Sequence, residues 1–146
     1  MTLSDDLDGI FLDIGPHRIR LIDAINDWAD RVLKLLFDSR EQSLKSTGSV
    51  WSLYDLIASL IRRDAIERTI NSQLRSDARI AILEAIDELF ESFTRQIEFD
   101  VAALPDEDPE PHDQNWWWNR IPSAGPLARE ASSLIETYFS TGGQDR

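Results

Sequence analysis

Apolar residues recur every three or four positions along much of the chain, a spacing typical of amphipathic helices. The first long stripe falls in residues 17–37, and Pro16 suits the first position of that helix. Residues 4–14 carry a shorter stripe, which predicts one short N-terminal helix that Gly15 and Pro16 would end. A short strand over residues 10–14 is the alternative for this segment.

The stripe that follows residue 50 predicts a second long helix. Ser52 and Asp55 are spaced as in a capping box, in which the side chain of each residue binds the backbone N–H of the other, so we expect the helix to begin there. The apolar pattern continues to Leu74 but changes phase on the way, which predicts a bend near residues 62–64.

Two further helices are predicted in the second half of the chain. Ser76 or Asp77 is expected to cap a strongly amphipathic helix that runs to about residue 99 and ends before Pro105. The last helix is expected to begin near Pro126 and to end at the glycine pair 142–143.

The chain lacks the usual signs of β-structure. No segment alternates apolar and polar residues for long, and no Asn-Gly or Asp-Gly pair marks a hairpin. The predicted fold class is therefore all-α: one bundle of four to six helices that occupies residues 1–146 as a single domain. Within it we expect an acidic N-terminal segment (residues 1–16), one acidic proline-rich loop (about 105–115) and a flexible tail (141–146).

The net charge of −12 is concentrated in two places. Residues 1–16 and 105–115 together hold nine of the 27 acidic residues and no lysine or arginine. Such a field attracts a basic partner and disfavours nucleic acid and anionic membranes.

The arginines of residues 62–79 alternate with acids, so we expect them to form ion pairs within the chain. Because no secretory signal or membrane-length apolar run is found, the expected location is the cytoplasm.

The sequence contains no motif that predicts catalysis. Cysteine is absent, and neither a nucleophilic-serine motif nor a glycine-rich phosphate loop occurs. Acids share a face on two predicted helices, but they lie beside or opposite the apolar stripes, which favours solvated surfaces. These acids are Asp23, Asp27, Asp30, Glu84, Asp87, Glu88 and Glu91. His112 lies in the acidic loop, where a pH-sensing role is conceivable. We predict no catalytic residue, no metal site and no cofactor.

Three consecutive tryptophans follow the acidic loop. Neighbouring side chains point about 100° apart in a helix and roughly 180° apart in a strand, so the three cannot all enter one core. At least one should be partly exposed, and we expect it to be Trp117. Large aromatic residues often close a core, but tryptophan and arginine are also enriched at interface hot spots. The predicted partner-binding residues are Asp106, Glu107, Asp108, Glu110, Asp113, Trp116, Trp117, Trp118 and Arg120.

These features favour a small acidic binding protein without enzymatic activity, an inhibitor or neutraliser of a basic protein partner, of the immunity-protein or antitoxin type. Two alternatives stay open. One is a helical subunit or adaptor of a larger assembly. The other is an all-α hydrolase dependent on Mg²⁺ or Mn²⁺, with helix carboxylates as ligands, namely Glu84, Glu88, Asp27 and Asp30. The expected partner is a protein, with neither nucleic acid nor membrane, and the sequence does not determine the oligomeric state.

Overall fold

A computed structural model describes residues 9–40, 51–70, 77–105 and 108–144 of the chain. Within these ranges it contains four α-helices and two antiparallel sheets of two strands each. The helices are α1 (Leu21–Ser39), α2 (Leu53–Thr69), α3 (Ala78–Phe93) and α4 (Pro126–Gln144). The strands are β1 (Phe11–Ile14), β2 (His17–Arg20), β3 (Thr94–Gln96) and β4 (Arg120–Pro122), and 3₁₀ helices cover Val101–Ala103 and Trp116–Asn119. The fold is mixed helix and sheet, so the all-α prediction is wrong.

The first sheet replaces the predicted N-terminal helix with a hairpin. Strands β1 and β2 pair so that Ile14 lies opposite His17, which leaves a two-residue turn. Gly15 has a φ of 58°, and Pro16 cannot adopt a positive φ, so the pair fits a type II′ turn with glycine first. The Gly-Pro pair is therefore a hairpin turn and not a helix stop, and the strand alternative was correct. Residues 1–8, which include most of the acidic N-terminal segment, lie outside the described residues.

The second sheet joins the end of α3 to the chain that follows the tryptophans. Thr94 lies opposite Pro122, and Gln96 opposite Arg120. Helix α3 therefore ends at Phe93, earlier than the predicted residue 99. The Thr94 hydroxyl donates to the Phe90 carbonyl at 2.8 Å and so occupies a backbone acceptor of the last turn. Strands of three residues are too short to produce a visible alternation, which explains why the sequence does not reveal them.

The core lies where α1 packs against both α2 and α3. Trp28 of α1 and Phe90 of α3 are completely buried, with ring centroids 5.5 Å apart. Leu56 and Leu60 of α2 are buried in the same cluster. Most of the apolar stripes read from the sequence therefore do mark the inward helix faces. Ile82 is an exception: it is exposed, and α3 turns Asp87 inward instead.

The predicted capping box of α2 is confirmed. The backbone N–H of Ser52 donates to Asp55 Oδ2 at 2.8 Å, and Ser52 Oγ accepts from the backbone N–H of Asp55 at 3.4 Å. The predicted bend near residues 62–64 is wrong, because α2 continues unbroken to Thr69. Leu74, the last residue of the apolar pattern, lies outside the described residues.

The starts of the last two helices agree with the sequence-based prediction, whereas their C-terminal ends do not. Asp77 caps α3 by accepting the backbone N–H of Arg79 at 2.8 Å, and this bond lowers the pKa of the Asp77 carboxyl below its usual value. Helix α4 begins at Pro126 as predicted and continues through the glycine pair to Gln144. Of the tail expected to be flexible, residues 141–144 are helical, and residues 145–146 lie outside the described residues.

Gly125, which precedes α4, should tolerate substitution less well than Gly15. Its φ is 93°, and an added Cβ would lie 2.8 Å from Ser39 Cα and would also collide with the Asp38 carbonyl. At Gly15 an added Cβ would meet no atom within 4 Å. We expect Gly15→Ala to lower the free energy of unfolding by about 1–2 kcal/mol through backbone strain alone, and Gly125→Ala to lower it by more. Parallel urea unfolding of both variants tests this, and equal losses would contradict the close approach at Gly125.

Candidate functional site

The three tryptophans form a 3₁₀ helix with Asn119, and their exposures differ sharply. Trp116 is 44% exposed, whereas Trp117 and Trp118 are 3% and 2% exposed. The prediction that at least one tryptophan is exposed is confirmed. The prediction that it is Trp117 is wrong, because Trp116 is the residue that faces outward.

Asp64 of α2 explains why two consecutive tryptophans are buried. The indole N–H of Trp117 donates to Asp64 Oδ1 at 2.8 Å, and that of Trp118 donates to Asp64 Oδ2 at 2.9 Å. Asn115 Nδ2 donates to Oδ1 as well, at 2.9 Å. Asp64 is itself buried. One carboxylate therefore satisfies both indoles, which otherwise would lose a hydrogen bond on burial.

A second carboxylate, which is partly buried, lies on the neighbouring helix. Asp87 of α3 accepts Nε of Arg63 at 3.0 Å and Nη2 at 2.7 Å, a two-bond pairing. It also accepts the indole N–H of Trp28 at 2.9 Å. The Arg63 guanidinium carbon lies 4.4 Å from the centroid of the Trp117 ring, and Nη2 is 3.1 Å from a Glu67 oxygen. Arg63 thus connects α3 to the tryptophan segment through a charge pair and a cation–π contact.

The sequence contains one signal of this polar cluster, the change of phase in the apolar stripe of α2. The stripe changes phase at residues 62–64 because Arg63 and Asp64 occupy buried positions that apolar residues would otherwise fill. The change of phase therefore marks buried polar residues and not a bend. The partners of these two residues are distant in sequence, so spacing alone does not identify them.

His112 holds the acidic loop against the buried tryptophans. Its ring stacks on Trp118 with centroids 3.8 Å apart and planes 14° from parallel. Its Nε2 lies 2.6 Å from Asp100 Oδ2, and its Nδ1 lies 2.7 Å from the Asp113 carbonyl. Asp100 also accepts the backbone N–H of Ala102 at 2.9 Å through Oδ1. Both ring nitrogens therefore face acceptors, which fixes the position of the loop around residue 112.

A cavity of about 320 Å³ lies between α2 and this loop, and we call it the groove. One side consists of the α2 residues Tyr54, Ile57 and Ile61. The opposite side contains three prolines, which we call the proline wall: Pro105, Pro109 and Pro111. His112 and Trp118 also line it, as do two acids, Asp64 and Glu110. Its volume lies at the lower end of the roughly 300–1,000 Å³ typical of small-ligand sites.

The predicted partner-binding residues do not form one site. Glu110 and Trp118 line the groove, and Asp113 makes an ion pair with Arg68, another lining residue, at 3.0 Å. Trp116 and Arg120 lie instead in a separate recess of about 250 Å³ with Glu91. Asp108 is exposed, whereas Trp117 is buried. Asp106 and Glu107 lie outside the described residues.

Arg120, which we predicted to bind a partner, makes several bonds within the protein. Its Nε donates to Thr94 Oγ1 at 2.8 Å, and its Nη2 donates to the Thr94 carbonyl at 2.8 Å and to the Glu91 carbonyl at 3.3 Å. It therefore stabilises the junction between α3 and the second sheet.

The carboxylates considered for metal binding are arranged differently from that hypothesis. Asp27 pairs with Arg31 at 2.9 Å and with Arg62 at 3.2 Å. Glu84 and Glu88 are exposed. Among the residues that the structure describes, no group of three or more histidine or acidic side chains is placed to hold a metal ion.

The arginines of residues 62–79 form ion pairs as expected. Arg62, Arg63, Arg68 and Arg79 each contact an acidic side chain, and Arg75 lies outside the described residues. No helix in the described ranges combines the length and apolar character needed to cross a membrane.

No protein-family model, curated protein or solved structure matches this chain.

Proposed function

We propose that this protein is a binding protein without enzymatic activity, of the immunity-protein or antitoxin type, which neutralises a basic protein partner by docking it at the groove. The observation that carries the proposal is the groove itself: an apolar cavity, open to solvent, whose unpaired charge is acidic. The acidic charge and the tryptophans of the sequence favour the same class of function, and the groove supports the proposal by offering a concave acidic surface.

Exposed apolar side chains at the groove favour protein binding. Tyr54 is 64% exposed and Ile61 is 45% exposed, and they lie two turns apart on α2. Apolar side chains that are gathered at one concave site, with polar residues around them, are typical of interaction sites rather than of ordinary surface. Tyrosine in particular is enriched at the centre of interfaces, because it contributes a large contact area with little loss of side-chain entropy.

The groove is also held in a defined shape before any partner arrives. The prolines of the proline wall have a restricted backbone, and His112 fixes the adjoining loop to Trp118 and Asp100. A surface that is ordered in advance loses less conformational entropy when it binds, which increases affinity without new contacts.

Photo-cross-linking at Tyr54 tests the proposal in extracts of the source organism. A benzophenone amino acid placed at Tyr54 reports what enters the groove, and the same probe at Ile82, exposed on α3, is the matched control. We expect position 54 to give one dominant adduct with a protein of high isoelectric point, and position 82 not to give it. The yield should fall as salt rises, because steering by exposed charges is screened.

Charge reversal at the groove provides the second arm of this experiment. Glu110→Lys should reduce the adduct at position 54, whereas Glu88→Lys on α3 makes the same change in net charge and should leave it unchanged. An adduct with a second copy of the chain would contradict the inhibitor, because the groove would then be a subunit interface. Identical adducts at positions 54 and 82 would also contradict the proposal.

A further inference from the structure

The charges that line the groove point to the chemistry of its occupant. We infer that the groove accepts the side chain of an arginine on the surface of the partner, with the methylene stem against the apolar side and the guanidinium toward Glu110 and Asp64. This inference rests on the proposed function, since it names the group of the partner that would enter the same site.

Besides the phenol of Tyr54, four acidic or basic side chains line the groove, and two of them already have a partner. Arg68 pairs with Asp113 at 3.0 Å, and His112 lies 2.6 Å from Asp100. The other two are Glu110 and Asp64. Neither makes an ion pair with any residue that the structure describes. The lining charge that lacks a counter-ion is therefore negative, which favours a cationic ligand.

Asp64 contributes a buried charge to the lining of the groove. The three groups that donate hydrogen bonds to Asp64 are all neutral: two indoles and one amide. Its Oδ2 accepts a single bond, although each carboxylate oxygen can accept two. The nearest arginine in sequence, Arg63, is committed to Asp87. A cation that enters the groove would therefore meet a carboxylate whose charge lacks a counter-ion.

The remaining lining selects a long, amphipathic cation. Ile57, Ile61 and the proline wall offer apolar contact to methylene groups, as the stems of lysine and arginine require. Arginine fits better than lysine, because its planar guanidinium presents five N–H donors, enough to bind Glu110 and Asp64 together. The volume of about 320 Å³ accommodates one such side chain.

Titration of the intact protein with a blocked arginine, N-acetyl-arginine methylamide, tests this inference by NMR. The indole N–H of Trp118 is the reporter, because it lines the groove and donates to Asp64. We expect saturable shifts of this signal and of the Ile57 and Ile61 methyl signals. The matching citrulline derivative, which has the same shape but no charge, should cause much smaller shifts at equal concentration.

Two variants locate the binding. Glu110→Gln should weaken the arginine affinity by about fivefold, the fold-change that one exposed charge pair typically supports. Glu88→Gln, the same change at an exposed site on α3, should leave it unaltered. Equal shifts with arginine and citrulline, equal or stronger shifts with a blocked norleucine, or unchanged affinity in Glu110→Gln would each overturn the inference.

This test and the cross-linking test can fail separately. If position 54 captures a basic protein but free arginine does not enter, the docking site stands and the arginine inference is wrong. If arginine enters but no basic protein is captured, the groove binds a cation and the proposed function is wrong.

Discussion

Replacing Asp64 with alanine is expected to lower the free energy of unfolding by roughly 3–5 kcal/mol, a large part of the ~5–15 kcal/mol typical of a domain. The change removes the one acceptor shared by the side chains of Asn115, Trp117 and Trp118. Two of these donors are buried indoles, and a buried donor without an acceptor costs about 1–3 kcal/mol. Urea unfolding followed by far-UV circular dichroism measures the loss, provided that the m-value is unchanged.

Substitutions among the tryptophans are the matched controls for this prediction. Trp118→Phe removes one bond to Asp64 and should destabilise the protein clearly. Trp116→Phe changes an exposed ring whose N–H does not contact Asp64, so its effect should be much smaller. The cluster would not have the role assigned to it if Asp64→Ala cost less than about 1 kcal/mol, or if the two tryptophan variants behaved alike.

Breaking the pair between Arg63 and Asp87 is expected to have an effect of similar size. Asp87→Leu leaves the buried Arg63 without its main partner, and breaking a buried pair in this way typically costs about 3–5 kcal/mol. Arg63→Met leaves the partly buried Asp87 unpaired and should cost somewhat less. The double variant removes both charges and replaces them with apolar groups of comparable size. We therefore expect it to be no less stable than the worse single variant, with a coupling energy of about 2–3 kcal/mol.

Urea unfolding of the four proteins in this double-mutant cycle measures the coupling directly. The indole N–H of Trp28 loses its acceptor in both Asp87 variants, so this loss cancels in the cycle. Costs that simply add would show that the two charges do not stabilise one another. A matched cycle on the exposed pair of Arg20 and Asp23, whose Nε–Oδ2 distance is 2.9 Å, should give less than about 1 kcal/mol.

The sequence predicted well the parts of the fold that depend on local pattern. The four long helices, the capping box at Ser52 and the start of α4 at Pro126 follow from residue spacing and from terminal residues. The hairpin was missed because its turn uses Gly15 and Pro16, a pair that also ends helices. The second sheet was missed because each of its strands has three residues.

The candidate site was harder to predict because its contacts are long-range. Composition and charge indicated the acidic loop and the tryptophans, and helical geometry required that at least one tryptophan be exposed. Which one is exposed depends on Asp64, which lies 53 residues before Trp117. Asp87 and Trp28 are 59 residues apart. Spacing along the chain does not encode such pairings, so the buried cluster and the groove beside it become visible only in the folded protein.

The distance along the chain between Asp64 and the tryptophans also determines when the groove can exist. Their contacts close loops of 53 and 54 residues, so they carry an entropic cost that local helix contacts do not. Long-range contacts of this kind form only after much of the chain is already in place. A molecule in which α1, α2 and α3 are packed but the tryptophan segment is detached would retain most of its helix and have no proline wall beside Tyr54. A partner that needs the groove would therefore distinguish finished molecules from nearly folded ones.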